Sequence, residues 1–165
     1  VPALWPGARR KAPHVMSDLD HIMSVMDAAF DPHWREAWTR QQVENSLAMP
    51  HTYAIIFDKH ARLLAPGREA AGFILARRAP GEEELLLIGV RPEVRNSGVG
   101  RALIEYFSDV ARKEGAERVF LEMRANNPAE KLYLSCGFEP IGRRANYYRT
   151  LDGTLLDAIT FAQTL

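Results

Sequence analysis

Apolar residues recur along this chain in two rhythms, and the switches between them predict its elements. Between residues 18 and 30 the positions Leu19, Ile22, Met23, Met26 and Phe30 follow a helical period, which gives one buried helix face. Ser17 or Asp18 offers the N-cap, and Asp31-Pro32 ends the helix. Thr39, with Gln42 three residues on, predicts a capping box and a second helix. The rhythm then shortens. Residues 52–57 are rich in β-branched and aromatic side chains and read as a strand, as do residues 70–79, and Pro80-Gly81 marks a turn. An apolar run over 85–90 has the length and flanks of a buried strand. Helical spacing returns at Leu103, Ile104, Phe107, Val110 and Ala111, with Gly115 at the C-terminal position that favours a residue without a Cβ. Residues 118–123 predict a further strand ending in a carboxylate. Asn127 is then an N-cap, Pro128 a first helical residue and Gly137 a helix stop, with a strand opening at Phe138. No repeat or linker divides the pattern, so it predicts one α/β domain over 16–165, preceded by a Pro-rich, basic extension over 1–15.

Composition narrows the classes. The 165 residues are 47% hydrophobic and 25% charged with zero formal net charge, an ordinary globular balance. No basic field points to nucleic acid as a direct ligand, and no segment is long and apolar enough to predict a membrane span. A single cysteine, Cys136, allows no internal disulfide and fits a reducing, cytoplasmic setting. The extension lacks the continuous apolar stretch of a secretory signal. The five histidines show no metal-ligand spacing, so no metal is expected.

Chemistry concentrates between residues 84 and 115, where a strand, a loop with two glycines and a helix follow in order. Such a loop aims backbone N–H groups and a helix N-terminus at one point, which suits a phosphate. A Walker loop would need Gly-Lys-Ser/Thr, and a dinucleotide fingerprint a different glycine spacing; neither is present. The pattern Arg95-x-x-Gly98-x-Gly100, after Ile88-Gly89-Val90-Arg91-Pro92, resembles the coenzyme A pyrophosphate loop of the GNAT N-acetyltransferases. The later run Asn127, Ala129, Leu132-Tyr133, Gly137-Phe138 is similar to that family's second signature. From residue 85 to 159 the likeness is to the RimI-type ribosomal-protein alanine N-acetyltransferases, carried by Leu121-Glu122-Met123-Arg124-Ala125, by the tail from Gly142 to Tyr148, and by Asp152-Gly153 and Asp157-Ala158-Ile159.

The resemblance implies a mixed, mostly antiparallel central sheet flanked by helices, with acetyl-CoA held where two strands splay apart. It implies Glu122 as general base and Tyr133 as general acid. It also implies cofactor contacts from the backbone at Ile88, Gly89 and Val90 and from the loop Asn96, Ser97, Gly98, Val99, Gly100 and Arg101. Glu122 and Tyr133 stand eleven residues apart, one fewer than the group's spacing, so either Asn126 or Asn127 matches its asparagine. Glu122, at a strand end beside apolar residues, is the carboxylate whose setting could make it a base. The implied acceptor is the N-terminal amine of a ribosomal protein, with alanine first. A small amine, a lysine side chain, or a silent acetyl-CoA-binding role are the alternatives, the last disfavoured by the presence of both Glu122 and Tyr133. Trp34 and Trp38 either line an acceptor groove or join the core. Arg143, Arg144, Tyr147 and Tyr148 either face substrate or form an exposed strand edge.

Overall fold

Helix ends leave backbone amides without intrahelical partners, and the residues flanking the first two helices supply them. The computed structural model describes residues 15–165. In it Ser17 accepts from the Asp20 N–H while Asp20 accepts from the Ser17 N–H, so α1 (Asp18–Ala29) opens on a capping box. Thr39 and Gln42 make the same exchange at α2 (Arg40–Leu47). The expected extension over 1–15 lies outside the described residues except for Val15.

Six strands form one sheet in the order β1-β2-β3-β4-β6-β5: β1 (Thr52–Phe57), β2 (Gly72–Ala79), β3 (Glu82–Val90), β4 (Arg118–Arg124), β5 (Glu139–Arg149) and β6 (Leu155–Thr164). Among the described residues, only β3 and β4 run parallel. A parallel pair needs a crossover, which α3 (Val99–Lys113) provides. β3 begins at Glu82, three residues before its apolar run, because charged cross-strand pairs open the hairpin. Arg77 meets Glu84 at 2.5 Å and Arg78 meets Glu83 at 2.7 Å. Glu83 is only 2% exposed and also accepts from the Tyr53 hydroxyl, so its burial is satisfied.

The sheet carries a core on each face. Leu103, Ile104 and Phe107 of α3 pack on Ile55, Ile74 and Leu85, while Ile22, Val25 and Met26 of α1 pack with Val43 on Phe73 and Leu87. Leu85 and Leu87 reach opposite cores because of a bulge. Leu75 faces Leu87 and Ala76 faces Leu85, which leaves Leu86 as an extra residue and reverses the alternation. Beside this bulge the parallel pairing stops. Leu85 with Leu121 is its last pair, so the rest of β3 is bonded on the β2 side alone and a gap opens toward β4.

The last helix corrects one expectation. α4 (Glu130–Ser135) has Ala129, not Asn127, at its cap. The Asn127 carboxamide oxygen accepts from the Ala129 N–H at 2.9 Å, and its carbonyl accepts from the Glu130 N–H at 3.1 Å. Asn127 therefore closes a turn through Pro128 before the helix begins, a local bond that competes with starting it directly.

Candidate active site

The gap between β3 and β4 exposes backbone groups in alternation. Arg91 N–H donates to Ala71 at 2.8 Å, so its peptide edge faces β2, as does that of Gly89 two residues earlier. The edges of Ile88 and Val90 turn the other way, into the gap. Of the three expected backbone contacts, Gly89 is thus turned away. Its missing side chain has a packing reason, since a Cβ there would lie 2.7 Å from the Phe73 ring and 3.2 Å from that of Phe30.

The gap leads to the glycine loop. Pro92–Val94 makes a 3₁₀ turn, the Ser97 hydroxyl donates to the Val94 carbonyl, and Asn96 and Gly98 adopt left-handed φ values of 62° and 93°. Gly98 leads into α3 with no side-chain cap, which leaves the first amides of the helix, at Val99, Gly100 and Arg101, open to an anion. No atom lies within 4 Å of where a Gly98 Cβ would sit. Arg95 points back instead, donating to the Ala29 carbonyl at 2.8 Å and the Val90 carbonyl at 3.3 Å, and so ties the loop to α1. The Arg101 side chain donates to the Ser135 hydroxyl at 2.7 Å and joins α3 to α4.

Glu122 and Arg124 share the sheet face that carries α1 and α2, since Val119, Leu121 and Met123 fill the opposite core. The Glu122 setting is not apolar. Arg144 of β5 grips both carboxylate oxygens, with Nε at 3.1 Å and Nη2 at 2.5 Å. Strand order explains the reach: Glu122 pairs with Thr160 and Thr160 with Gly142, so Arg144, two residues further along β5, leans diagonally across β6 to meet it. Tyr133 comes from the other core. It is 4% exposed and packs against Phe138 and Phe161. Burial, with the Glu36 carboxylate adding to it, holds its hydroxyl well above the ordinary tyrosine range. That hydroxyl is a proton donor through neutral pH.

A third cluster closes the acceptor side. Arg124, 5% exposed, donates through Nε to Glu36 at 2.6 Å and lies 3.6 Å over the Trp34 ring. Its Nη1 is buried and makes no hydrogen bond among the described residues. The same loop is tied to the β5–β6 turn, where Leu151 N–H donates to the His33 carbonyl at 3.0 Å. Trp34 therefore stands at the site, whereas Trp38 packs against the α1-side core. Tyr148 faces both carboxylates; burial first, then Glu122 and Glu36, push it up to about 12. Asn126 adopts a left-handed φ of 66°, and Asn127 is occupied by its turn. Cys136 is half-buried, and burial pushes its thiol up despite Arg101, which leaves it a poor nucleophile. Arg144 stands among the residues expected to face substrate or form a strand edge. Its pairing with Glu122, and that of Arg124 with Glu36, carries no sequence signal, because the partners lie 22 and 88 positions apart.

A splayed mixed sheet with a glycine loop at its gap, and a carboxylate and a phenol from its two faces, is the architecture of an α/β N-acetyltransferase. The chain belongs to the acetyltransferase (GNAT) family, which it matches over residues 20–138, and acetyl-CoA is the acyl donor of that chemistry. It is similar to the ribosomal protein bS18-alanine N-acetyltransferase of Escherichia coli strain K12, at 39% identity over 100 residues covering 60% of this chain and 67% of that protein. It is also similar to the N-alpha-acetyltransferase RimI of Mycobacterium tuberculosis, at 34% identity over 116 residues and 69% of each chain. The crystal structure of the ribosomal-protein-S18-alanine N-acetyltransferase from Escherichia coli matches with a TM-score of 0.73 at 28% identity, over 92% of this chain and 91% of that one. Among the described residues no group of three His, Cys, Asp or Glu side chains is placed to hold a metal, and no helix is long and apolar enough to cross a membrane.

Proposed function

We propose that this protein acetylates the α-amine of a protein N-terminus, with alanine first and a ribosomal protein as the substrate, by direct transfer from acetyl-CoA in the bacterial cytoplasm. The observation that carries this reading is the placement of Glu122 on the α1/α2 face, paired with Arg144 of β5 and near the loop that holds Trp34 and Glu36 against Arg124. The named relatives act on the same kind of amine. Backbone groups of Ile88 and Val90 hold the pantetheine arm and the thioester oxygen, and the amides from Asn96 to Arg101 cradle the pyrophosphate. Asn126, whose side chain is not spent on the turn, is the asparagine left to meet the cofactor. Glu122 takes the proton of the acceptor ammonium, directly or through one water, and the freed nitrogen attacks the thioester carbon. As the new C–N bond replaces the C–S bond, the Tyr133 hydroxyl delivers its proton to the departing sulfur. The second proton shed by the acylated nitrogen returns to the phenolate through solvent, which leaves the amide, the free thiol and the proton on Glu122.

Acceptor choice is tested with the purified protein, acetyl-CoA and a panel of peptides and amines, the products read by mass spectrometry. Peptides beginning with alanine are acetylated faster than those beginning with bulky residues, and faster than spermidine, which has no backbone to lie along the groove. Acetylation confined to spermidine or to lysine side chains sinks the N-terminal reading.

The cofactor loop has its own test, best made at Gly98. Gly100→Val would collide with Leu132, whose Cδ2 lies 3.2 Å from the added Cβ, and so mix packing with binding. Gly98→Ala meets nothing but carries its φ of 93° into a region L-residues avoid, at a cost of about 1–2 kcal/mol. The displaced loop then loses at least one charge-assisted bond to phosphate, so coenzyme A affinity falls about tenfold or more. Calorimetry that finds wild-type affinity in the folded variant refutes the loop assignment.

A further inference from the structure

Arg144 occupies both oxygens of Glu122, the atoms that the reading above assigns to the incoming ammonium. We infer that Arg144 determines acceptor specificity: it is a resident cation that the acceptor amine must displace, and a peptide acceptor recovers the bonds that the displaced guanidinium gives up. The inference rests on Glu122 as the amine-facing carboxylate. Proton transfer requires the amine nitrogen at hydrogen-bond distance from a Glu122 oxygen, or one water away, and the guanidinium fork fills that space. Binding is therefore an exchange of one cation for another.

The geometry makes the exchange feasible. The Arg144 side chain is 56% exposed and that of Glu122 is 22% exposed, so the pair is screened and weak for its short distance. The guanidinium carbon already lies 3.9 Å over the Tyr147 ring, a face on which it can remain after leaving the carboxylate. The adjacent Asp157 does not compete for it, since its two oxygens receive Arg143 Nε at 2.5 Å and Asn146 N–H at 2.9 Å. The freed donors of Arg144 thus need oxygens from the acceptor itself. Main-chain carbonyls of an extended peptide provide them; an alkylamine has none. The resident cation consequently penalises simple amines more than peptides.

The test compares an alanine-initial peptide with n-butylamine in the wild-type protein, in Arg144→Gln and in Arg144→Lys, with coenzyme A affinity as the check on folding. In Arg144→Gln the KM for butylamine falls while that for the peptide changes less, so the ratio of kcat/KM values narrows about two- to fivefold. Arg144→Lys, which restores a cation, returns the ratio toward wild type. A parallel rise of both KM values, or an unchanged ratio with peptide turnover intact, overturns this inference alone, because Arg144 then only holds Glu122 in place. Absence of peptide turnover in the wild-type protein overturns the N-terminal reading and this inference with it.

Discussion

Tyr133→Phe lowers kcat about 10²-fold while leaving coenzyme A affinity and the melting temperature near wild type. The ring is what the fold uses. It is 4% exposed and its contacts are to Phe138 and Phe161, with centroids at 6.0 and 6.4 Å, and phenylalanine keeps all of that. Removing the hydroxyl leaves those ring contacts in place. Its loss is felt only as the C–S bond breaks, when a thiolate must leave without a proton. A 10²-fold loss corresponds to about 2.7 kcal/mol of barrier, within reach of one positioned acid. Because burial raises the Tyr133 pKa, the acid stays protonated past the ordinary tyrosine value of about 10, and Tyr133 adds no alkaline limb to the rate below it. Single-turnover kinetics isolate the chemical step. Wild-type turnover with chemistry rate-limiting removes Tyr133 from the mechanism.

Glu122→Gln has an effect of similar size but a different dependence on pH. The amide keeps the shape and one acceptor oxygen but cannot take a proton, so kcat falls about 10²-fold near neutrality. The α-amine has a pKa of about 8, and below it the acceptor is an ammonium that needs a base. Above it the amine is increasingly neutral without help. The variant therefore loses most at low pH and recovers part of the loss at about pH 9. Stability changes little, since the Arg144 pair it breaks is largely exposed and worth at most about 1 kcal/mol. A pH series of kcat/KM decides the role. A deficit that is constant with pH marks Glu122 as a positioning group rather than the base.

Much of this molecule can be read along the chain because the relevant physics is local. Capping boxes at Ser17 and Thr39 pair groups three residues apart, and the helical stripe of α3 needs only its own spacing. The left-handed glycines at 98, 115 and 137 answer to backbone sterics within one turn. Where polar residues depend on partners across strands, the chain pattern falls short: the start of β3 is hidden because Glu82, Glu83 and Glu84 look like a loop until Arg118, Arg78 and Arg77 stand beside them. At α4, two good local signals competed, and the Asn127 turn displaced the helix start to Glu130.

The candidate site divides along the same line. The chain alone named the glycine loop, Glu122 and Tyr133, since the family signatures that hold them are contiguous stretches. Only the tertiary structure decided what those groups face. The bulge at Leu86 and the end of pairing at Leu85 and Leu121 depend on three strands meeting, and they turn Ile88 and Val90, but not Gly89, toward the gap. The insertion of β6 between β4 and β5 brings Arg144 onto Glu122 from 22 residues away, and the return of the α1–α2 loop brings Glu36 onto Arg124 from 88. Ion pairs of that range follow from strand order and closure of the sheet, which no local spacing of residues encodes.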